Sequence, residues 1–429
     1  MKLNELEKRT FILLLIASVF NGLVLSAFKT HEIVAKKALD ALDWQITLLV
    51  MLWPLSNLFS LWWGKLLEHA NSLKKFFLLT GFVGRLSLLA MLWVTNYYQF
   101  FFIMLILFSF NALISPAQNS IYQNNFSTHN RGLIFGLVSS IGTLSLIIAS
   151  YFAGRLLDID SDNFRLIFAL IAIAGLLYSL VMAMITVDKP RIPYESRHHL
   201  REIFIKPISK GFRLLQHNHD FRCFQRNFFL YGIGYLIILP VIPAYLVDTM
   251  QMNYSEIFLA KSILAEFGIL LFAPLAGKIS GKINPAHFSF IAFSALGIYP
   301  LILIISSFLP ILIWAKALVY FAFFLFGIAM SMILVSWNIS SIFFAGDNDV
   351  SMYQSVHVTL TGIRGLLIPP LGLLIFRLIG IRAVFLVSSI MLFWGAGLSL
   401  KLYFKMDKKT WNLNKHLQKV LSFKRRGVG

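Results

Sequence analysis

Long apolar runs alternate with short polar connections along almost the whole chain. A helix needs about 20 mostly apolar residues to cross a bilayer, and twelve runs are long enough. They lie near 10–29, 44–64, 76–95, 98–121, 132–154, 164–186, 224–247, 256–277, 287–308, 312–341, 352–376 and 382–404. The connection at 187–223 is long and basic, and it divides the runs into six and six. The pattern predicts an all-α polytopic membrane protein with twelve transmembrane helices in two six-helix bundles.

The same division predicts four units along the chain. An N-terminal six-helix bundle occupies 1–186, and a cytoplasmic basic linker occupies 187–223. A C-terminal six-helix bundle follows at 224–404. The segment 405–429 is a basic, partly amphipathic cytoplasmic tail, which we expect to lie on the inner leaflet.

Composition excludes a soluble fold. Of the 429 residues, 58% are hydrophobic and 13% charged, whereas a soluble domain has about 25% charged residues. A formal net charge of +19 would suggest nucleic acid for a soluble protein, but here it indicates loops facing an anionic inner leaflet. We therefore expect no nucleic-acid partner. The single cysteine, Cys223, excludes an intrachain disulfide and a cysteine-based metal cluster. The first run lacks a clear cleavage site, so we interpret it as a retained membrane helix.

Lysine and arginine predict the orientation, because cytoplasmic loops carry an excess of them. If both termini are cytoplasmic, the inside segments hold 27 of these residues and the outside segments hold 7. The sequence therefore predicts that both termini face the cytoplasm. Length, the single cysteine and the absence of a signal favour a bacterial inner (cytoplasmic) membrane, and an organelle membrane is the alternative.

Two short polar segments occupy matching places in the two halves. "GKLLEHANSLKK" at 64–75 follows the second run, and "GKISGKINPAHF" at 277–288 follows the eighth. Both begin with Gly-Lys and carry further basic groups, which indicates parallel repeats related by an axis along the membrane normal.

With twelve runs, a six-plus-six division and this loop pattern, the chain resembles the major facilitator superfamily of secondary transporters over nearly its whole length. The family's loop signature places an acid four residues after the glycine. Gly64 and Glu68 fit that spacing, whereas Asn71 replaces the second glycine and Gly281 stands where the second copy would carry its acid.

The resemblance implies a conformational latch in the first of these segments. Gly64 would allow close helix approach, and Glu68 would sit near the positive N-terminus of the eleventh span. Lys74 and Lys75 would anchor the third span at the headgroups. The alternative is an ordinary short loop that obeys the positive-inside rule.

Ionisable residues at membrane depth are functional candidates, because they cost several kcal/mol unless they are paired or hydrated. Glu266 and Arg364 are placed within about a turn of the midplane. They form either a structural ion pair or a switch, and Glu266, as the only carboxylate expected near mid-depth, is the best proton carrier. His357 is either a proton relay or a hydrogen-bonded packing residue. Arg85 is expected to pack against a neighbour or reach a carbonyl.

The resemblance also implies a cavity lined by the first, fourth, seventh and tenth spans. Asn21, Asn111, Tyr235 and Asn338 fall on those four spans. Together with Arg364 they are the predicted substrate residues, although polar groups also join membrane helices.

These features favour a membrane transporter that moves a small solute by alternating access. Coupling to a proton or ion gradient is expected, as symport or antiport, with no cofactor, no metal and a monomeric state. One alternative is a transporter-shaped receptor or scaffold. The other is a polytopic membrane enzyme, for which the sequence offers only the adjacent His198 and His199, and these cannot share a helix face.

Overall fold

Twelve membrane helices run along the chain in a computed structural model that describes residues 3–68, 72–187, 206–345 and 350–426. They are α1 Glu5–Ala38, α2 Asp43–Glu68, α3 Lys74–Trp93, α4 Tyr97–Asn111 continued after a turn by Ile114–Asn125, α5 Thr128–Ile159, α6 Phe164–Ala183, α7 His219–Thr249, α8 Tyr254–Ser280, α9 Pro285–Ser306, α10 Leu312–Ala345, α11 Val350–Ile379 and α12 Ile381–Arg426. A separate amphipathic helix, Lys206–His217, precedes α7.

The predicted fold class is confirmed. Ten of the helices are long and apolar enough by themselves to cross a membrane, and α2 and α4 complete the twelve. We call α1–α6 the N-half and α7–α12 the C-half. We call the end of the bundle that carries the start of α1 the terminal face, and the opposite end the distal face.

Asparagine caps set where several helices begin. Asn4 accepts a hydrogen bond from the Glu7 amide, and Glu7 bonds back to the Asn4 amide. Asn253 and Glu256 form the same reciprocal capping box at the start of α8. Such caps pair amide groups that lack a helical partner, and each stabilises the helix by about 1 kcal/mol.

Three helix boundaries differ from the sequence prediction. α1 continues to Ala38, whereas the apolar run predicts an end near residue 29. The polar residues after 29 are part of the same helix. α7 begins at His219, inside the predicted linker. α12 continues through the predicted tail to Arg426. The division into units at 186, 223 and 404 stays a prediction, and residues 188–205 of the linker lie outside the described residues.

Three helices contain a π-helical segment that carries a charged side chain. The segments are Thr80–Arg85 in α3, Tyr245–Thr249 in α7 and Leu259–Leu264 in α8, and the charged residues are Arg85, Asp248 and Lys261. π-turns are rare and frequently occur at functional sites. These three charged residues are therefore candidates for a functional role.

Among the described residues, the two halves share an apolar core at one end of the bundle. The largest cluster of buried side chains lies toward the distal face and joins Ile33 and Phe100 of the N-half to Ile257 of the C-half. Toward the terminal face the core divides. One cluster there, around Tyr122, belongs to the N-half, and another, around Phe228, belongs to the C-half.

Close packing between α8 and α10 within the C-half depends on Gly327. A Cβ atom at this position would lie 2.8 Å from the carbonyl carbon of Ala265. We expect Gly327→Ala to lower the free energy of unfolding by about 1–3 kcal/mol, as overpacking does. Thermal unfolding in detergent measures the effect. The matched control is Gly397→Ala in α12, where a Cβ atom meets nothing within 4 Å. Equal unfolding temperatures for the two variants would contradict this account of the helix contact.

Candidate functional site

Four charged side chains from α1 and α8 form two ion pairs between the halves. The Lys29 Nζ atom lies 2.7 Å from Glu266 Oε1. Lys261 pairs with the carboxylate of Glu32 and also donates to the Lys29 carbonyl oxygen at 2.6 Å. Each helix supplies one base and one acid, so the pairs run in opposite directions. We call these four residues the charge cluster.

Local helix geometry brings the members of the charge cluster together. Lys29 and Glu32 are three residues apart, and such residues are neighbours on an α-helix surface. Lys261 and Glu266 are five residues apart, and Lys261 lies in the π-helical segment of α8. A π-turn spans five residues per hydrogen bond, which brings this spacing close to one face.

Three of the four side chains are largely removed from solvent. Lys29 differs, because 44% of its side chain is exposed against 9% for Glu266. His31 Nδ1 lies 3.2 Å from Glu32 Oε2 and the same distance from the Phe28 carbonyl oxygen. Loss of one partner of a buried ion pair is strongly destabilising, since it leaves the other charge uncompensated.

Further polar contacts join the halves at the distal face. The Lys36 Nζ atom of α1 lies 3.0 Å from Asp248 Oδ2 of α7 and 3.2 Å from Asp43 Oδ1. Lys37 donates to the Met252 carbonyl oxygen at 3.0 Å and stands 4.3 Å from the ring centroid of Tyr254. These contacts surround the charge cluster on the side away from the terminal face.

A carboxylate of the N-half also accepts hydrogen bonds from the first turn of α8. Asp158 at the end of α5 accepts hydrogen bonds from the backbone amides of Tyr254 at 2.7 Å and Ser255 at 3.0 Å. A helix N-terminus carries partial positive charge, so this contact is favourable. It joins α5 to α8 across the boundary between the halves.

The same two helices have open space beside them toward the terminal face. A Cβ atom on Gly154, in the distal part of α5, would lie 3.5 Å from the Phe258 Cβ atom of α8. A Cβ atom on Gly132 or Gly136 of α5, or on Gly277 of α8, would meet nothing within 4 Å. In the described part of the chain, no neighbouring helix packs closely against Gly132 or Gly136.

Glu266 pairs with Lys29 and not with Arg364. Arg364 is 3% exposed and donates to the Phe228 carbonyl oxygen and to Thr361 Oγ1. Its guanidinium carbon stands 5.6 Å from the ring centroid of Tyr231. The sequence left open an ion pair between Glu266 and Arg364. The structure instead pairs Glu266 with Lys29 across the halves, because the longer α1 brings Lys29 to it.

The predicted residues of the C-half lie along one side of α7 and α11. The His357 Nδ1 atom is 3.0 Å from Gln225 Oε1, in the hydrogen-bonded packing arrangement. Tyr235 is half-buried and stacks with Tyr231 at 6.1 Å and with Phe326 at 6.3 Å between centroids. Asn338 belongs to α10, and its side chain lies outside the described residues.

The N-half residues form a second polar group. Arg85 is 1% exposed, donates to Asn21 Oδ1 at 2.8 Å and stands 3.9 Å over the ring of Tyr178. Asn21 itself is half-buried, as is Asn111 at the end of the first segment of α4. Arg85 thus packs against neighbours, as the sequence suggested, although its hydrogen bond goes to a side-chain amide.

The proposed latch lies only partly within the described residues. Gly64 and Glu68 belong to the end of α2, and their side chains are outside the described set. Lys74 and Lys75 are exposed at the start of α3. The latch therefore stays a prediction.

Sequence reasoning missed Lys29 and Glu32. Glu32 is a second buried carboxylate in this region and pairs with Lys261. The expected depth of Glu266 in the membrane stays a prediction. A signal was present in "FKTHEIVAKK", where charges follow an apolar run without a turn residue. A helix continuing through them would have predicted the charge cluster's α1 members. Among the described residues, no group of three or more metal-ligating side chains occurs.

The helices and the cross-half charge cluster define a multi-pass membrane protein built from two six-helix halves. The Major Facilitator Superfamily model matches residues 10–360. The chain therefore belongs to the major facilitator superfamily.

Solved transporter structures share this fold at low sequence identity. A bacterial homolog of the human lysosomal transporter Spinster, inward-facing and unoccupied, is 13% identical, with a TM-score of 0.64 over 94% of this chain and 99% of that chain. The nucleoside transporter NupG is 14% identical, with a TM-score of 0.70 over 94% and 98%. The inward-open xylose transporter XylE of E. coli is 13% identical, with a TM-score of 0.66 over 92% and 96%. None of the curated proteins compared with the chain matches it.

Proposed function

We propose that this protein is a secondary transporter that moves a small solute by alternating access. The observation that carries the proposal is the asymmetric contact between the halves. At the distal face they share a core, the two ion pairs of the charge cluster and the Asp158 contact to α8. Toward the terminal face each half has its own core. Rocking of the halves about the centre would close one end and open the other.

Orientation gives this geometry a direction. With both termini in the cytoplasm of a bacterial inner membrane, the distal face is external and the structure is an inward-facing state. The segment 64–75 would then latch the halves in the outward-facing state, through Gly64, Glu68, Lys74 and Lys75. Asn21, Asn111, Tyr235, Asn338 and Arg364 are proposed to line the solute path of the monomer.

Glu266 is the proposed coupling residue. A proton on its carboxylate would cancel the charge that holds Lys29, so the halves would separate more easily at the distal face. His357 is proposed as a subsidiary relay, since it lies two turns from Arg364 on the same face of α11. The carrier would thereby link solute movement to a proton gradient.

A disulfide between the halves tests alternating access. The 3.5 Å Cβ–Cβ separation between positions 154 and 258 suits a disulfide. In a Cys223→Ser background, Gly154→Cys with Phe258→Cys is expected to cross-link on oxidation and to stop all flux. Proteoliposomes loaded with a defined mixture of metabolites, followed by mass spectrometry of what leaves, measure that flux. Reduction should restore it, and each single cysteine variant should be indifferent to oxidant. Absence of flux from the reduced protein would favour the receptor or scaffold alternative.

A second prediction concerns the driving ion. Glu266→Gln keeps the shape of the side chain but cannot exchange a proton. We expect the variant to lose uphill accumulation under a pH gradient while retaining exchange of solute across the membrane. Parallel uptake and exchange assays in proteoliposomes separate the two activities. Glu256→Gln, which alters a partly exposed pair with Lys316 at the distal rim, is the matched carboxylate control. Unchanged accumulation by Glu266→Gln would remove this residue from the coupling step.

A further inference from the structure

The charged groups at membrane depth do not balance. Lys29 and Lys261 are matched by Glu32 and Glu266 within the charge cluster. Arg85 and Arg364 have no such match, because neither guanidinium contacts a carboxylate anywhere in the described ranges. Two buried positive charges therefore remain uncompensated between the helices. A charge in this position costs several kcal/mol unless an opposite charge or water reaches it.

The surroundings of Arg364 offer unused hydrogen-bond donors. Its Nε atom is buried without a partner, as is the Nε2 atom of Gln225. His357 donates from Nδ1 to Gln225 Oε1, so its buried Nε2 atom is an unpartnered acceptor. Buried polar groups are almost always paired, so two unpaired donors beside a cation point to a missing ligand rich in acceptors.

Two stacked tyrosines connect Arg364 to the charge cluster. Arg364 stands over Tyr231, which stacks one turn along α7 with Tyr235. Tyr235 in turn stacks with Phe326 of α10, and α10 packs against α8 beside Glu266. A ligand along this tyrosine pair would have Arg364 at one end and the half-exposed Lys29 at the other.

The N-half presents the same preference through Asn21. Arginine has only donors, so Arg85 must engage the amide oxygen of Asn21, as the 2.8 Å contact to Oδ1 shows. That leaves the Nδ2 donors of this half-buried side chain for other partners. Arg85 thereby acts as a positioning residue that turns Asn21 into a hydrogen-bond donor.

We propose that the transported solute is a small organic anion whose oxyanion group, a carboxylate or a phosphate, binds Arg364 while acceptor atoms at its other end compete with Glu266 for Lys29. Guanidinium matches both oxyanions through two parallel hydrogen bonds. Binding would neutralise the unmatched positive charge of the C-half and weaken the ion pair that closes the distal face. The inference rests on the proposed transport function and adds the solute class to it.

The test is a ligand panel read by thermal unfolding of the full-length protein at constant ionic strength. One arm holds mono- and dicarboxylates, a second holds inorganic phosphate and sugar phosphates, and a third holds neutral sugars, nucleosides and organic cations. We expect members of one anionic arm to raise the unfolding temperature. The arm that responds decides between carboxylate and phosphate.

Variants connect the response to the proposed site. Arg364→Gln should weaken binding of the same anion at least about tenfold, since a lost hydrogen bond to a charged group is worth more than a factor of ten. Arg364→Lys should bind the anion with an affinity between those of the unaltered protein and Arg364→Gln. Lys29→Gln should also weaken binding of the anion. Lys37→Gln, at the distal rim, is the matched control and should bind normally.

Three results would overturn the proposal. They are a response only in the neutral and cationic arm, no response to any anion, and an anion response that Arg364→Gln leaves unchanged. The disulfide experiment needs no knowledge of the solute, so it can still succeed when this one fails. The two outcomes together distinguish a wrong solute class from a protein that does not transport.

Discussion

Glu32→Gln is expected to open the distal face and to cause the largest loss of stability of any single change in the charge cluster. Lys261 would then face only uncharged acceptors, namely the Lys29 carbonyl oxygen and the amide oxygen of the new glutamine. Breaking a buried ion pair by removing one partner costs about 3–5 kcal/mol. Thermal unfolding reports the loss of stability. Labelling of a Ser255→Cys variant by a membrane-impermeant maleimide reports the opening.

A double variant serves as the control for this prediction. Glu32→Gln with Lys261→Met removes both charges, and apolar replacement of a buried pair is often neutral or stabilising. We expect the double variant to regain most of the stability that Glu32→Gln loses. Additive losses in the two single variants and the double variant would show that the two side chains act independently.

Arg364→Met is expected to abolish transport while raising the unfolding temperature. The guanidinium has no carboxylate partner among the described residues, so an apolar side chain of similar length removes an uncompensated charge. Apolar replacement of whole buried ion pairs stabilises proteins by about 1–4 kcal/mol, and Arg364→Met leaves no partner carboxylate behind. Unfolding in the absence of solute, and flux in proteoliposomes, measure the two effects separately.

The contrast with a rim arginine makes this prediction specific. Arg382 donates to Ser307 from an exposed position and stacks over Phe308 at 3.9 Å. Arg382→Met should change neither flux nor the unfolding temperature by much, because exposed polar contacts contribute little. A lower unfolding temperature for Arg364→Met would instead assign Arg364 a structural role and weaken the case for an anionic solute.

The sequence could predict the membrane helices because bilayer thickness imposes a minimum length on every apolar run. The constraint acts on length along the chain, so residue counts alone predict the twelve runs and their division. It sets a minimum length for each helix but no maximum. α1 continues to Ala38, and a length criterion alone placed Lys29 in a loop when the residue belongs to the contact between the halves.

The pairing of charges between the halves cannot be predicted from the sequence, for a different reason. Lys29 and Glu266 are distant in the chain and belong to different halves, and their contact exists in one arrangement of those halves. Pairing Glu266 with Arg364 treated the C-half as self-contained. Spacing along one helix predicts neighbours on that helix, whereas partners on another helix depend on how the halves are placed.

The contact of Asp158 with the start of α8 has a consequence for the setting in which the protein works. Asp158 is exposed, and salt screens the attraction between an exposed carboxylate and a helix N-terminus. The Lys261–Glu32 pair of the charge cluster is largely protected from such screening by burial. Salinity at the distal face should therefore loosen its rim and leave this pair intact, so a change from fresh to saline surroundings would alter how fast the halves part without removing the pair that holds them at rest.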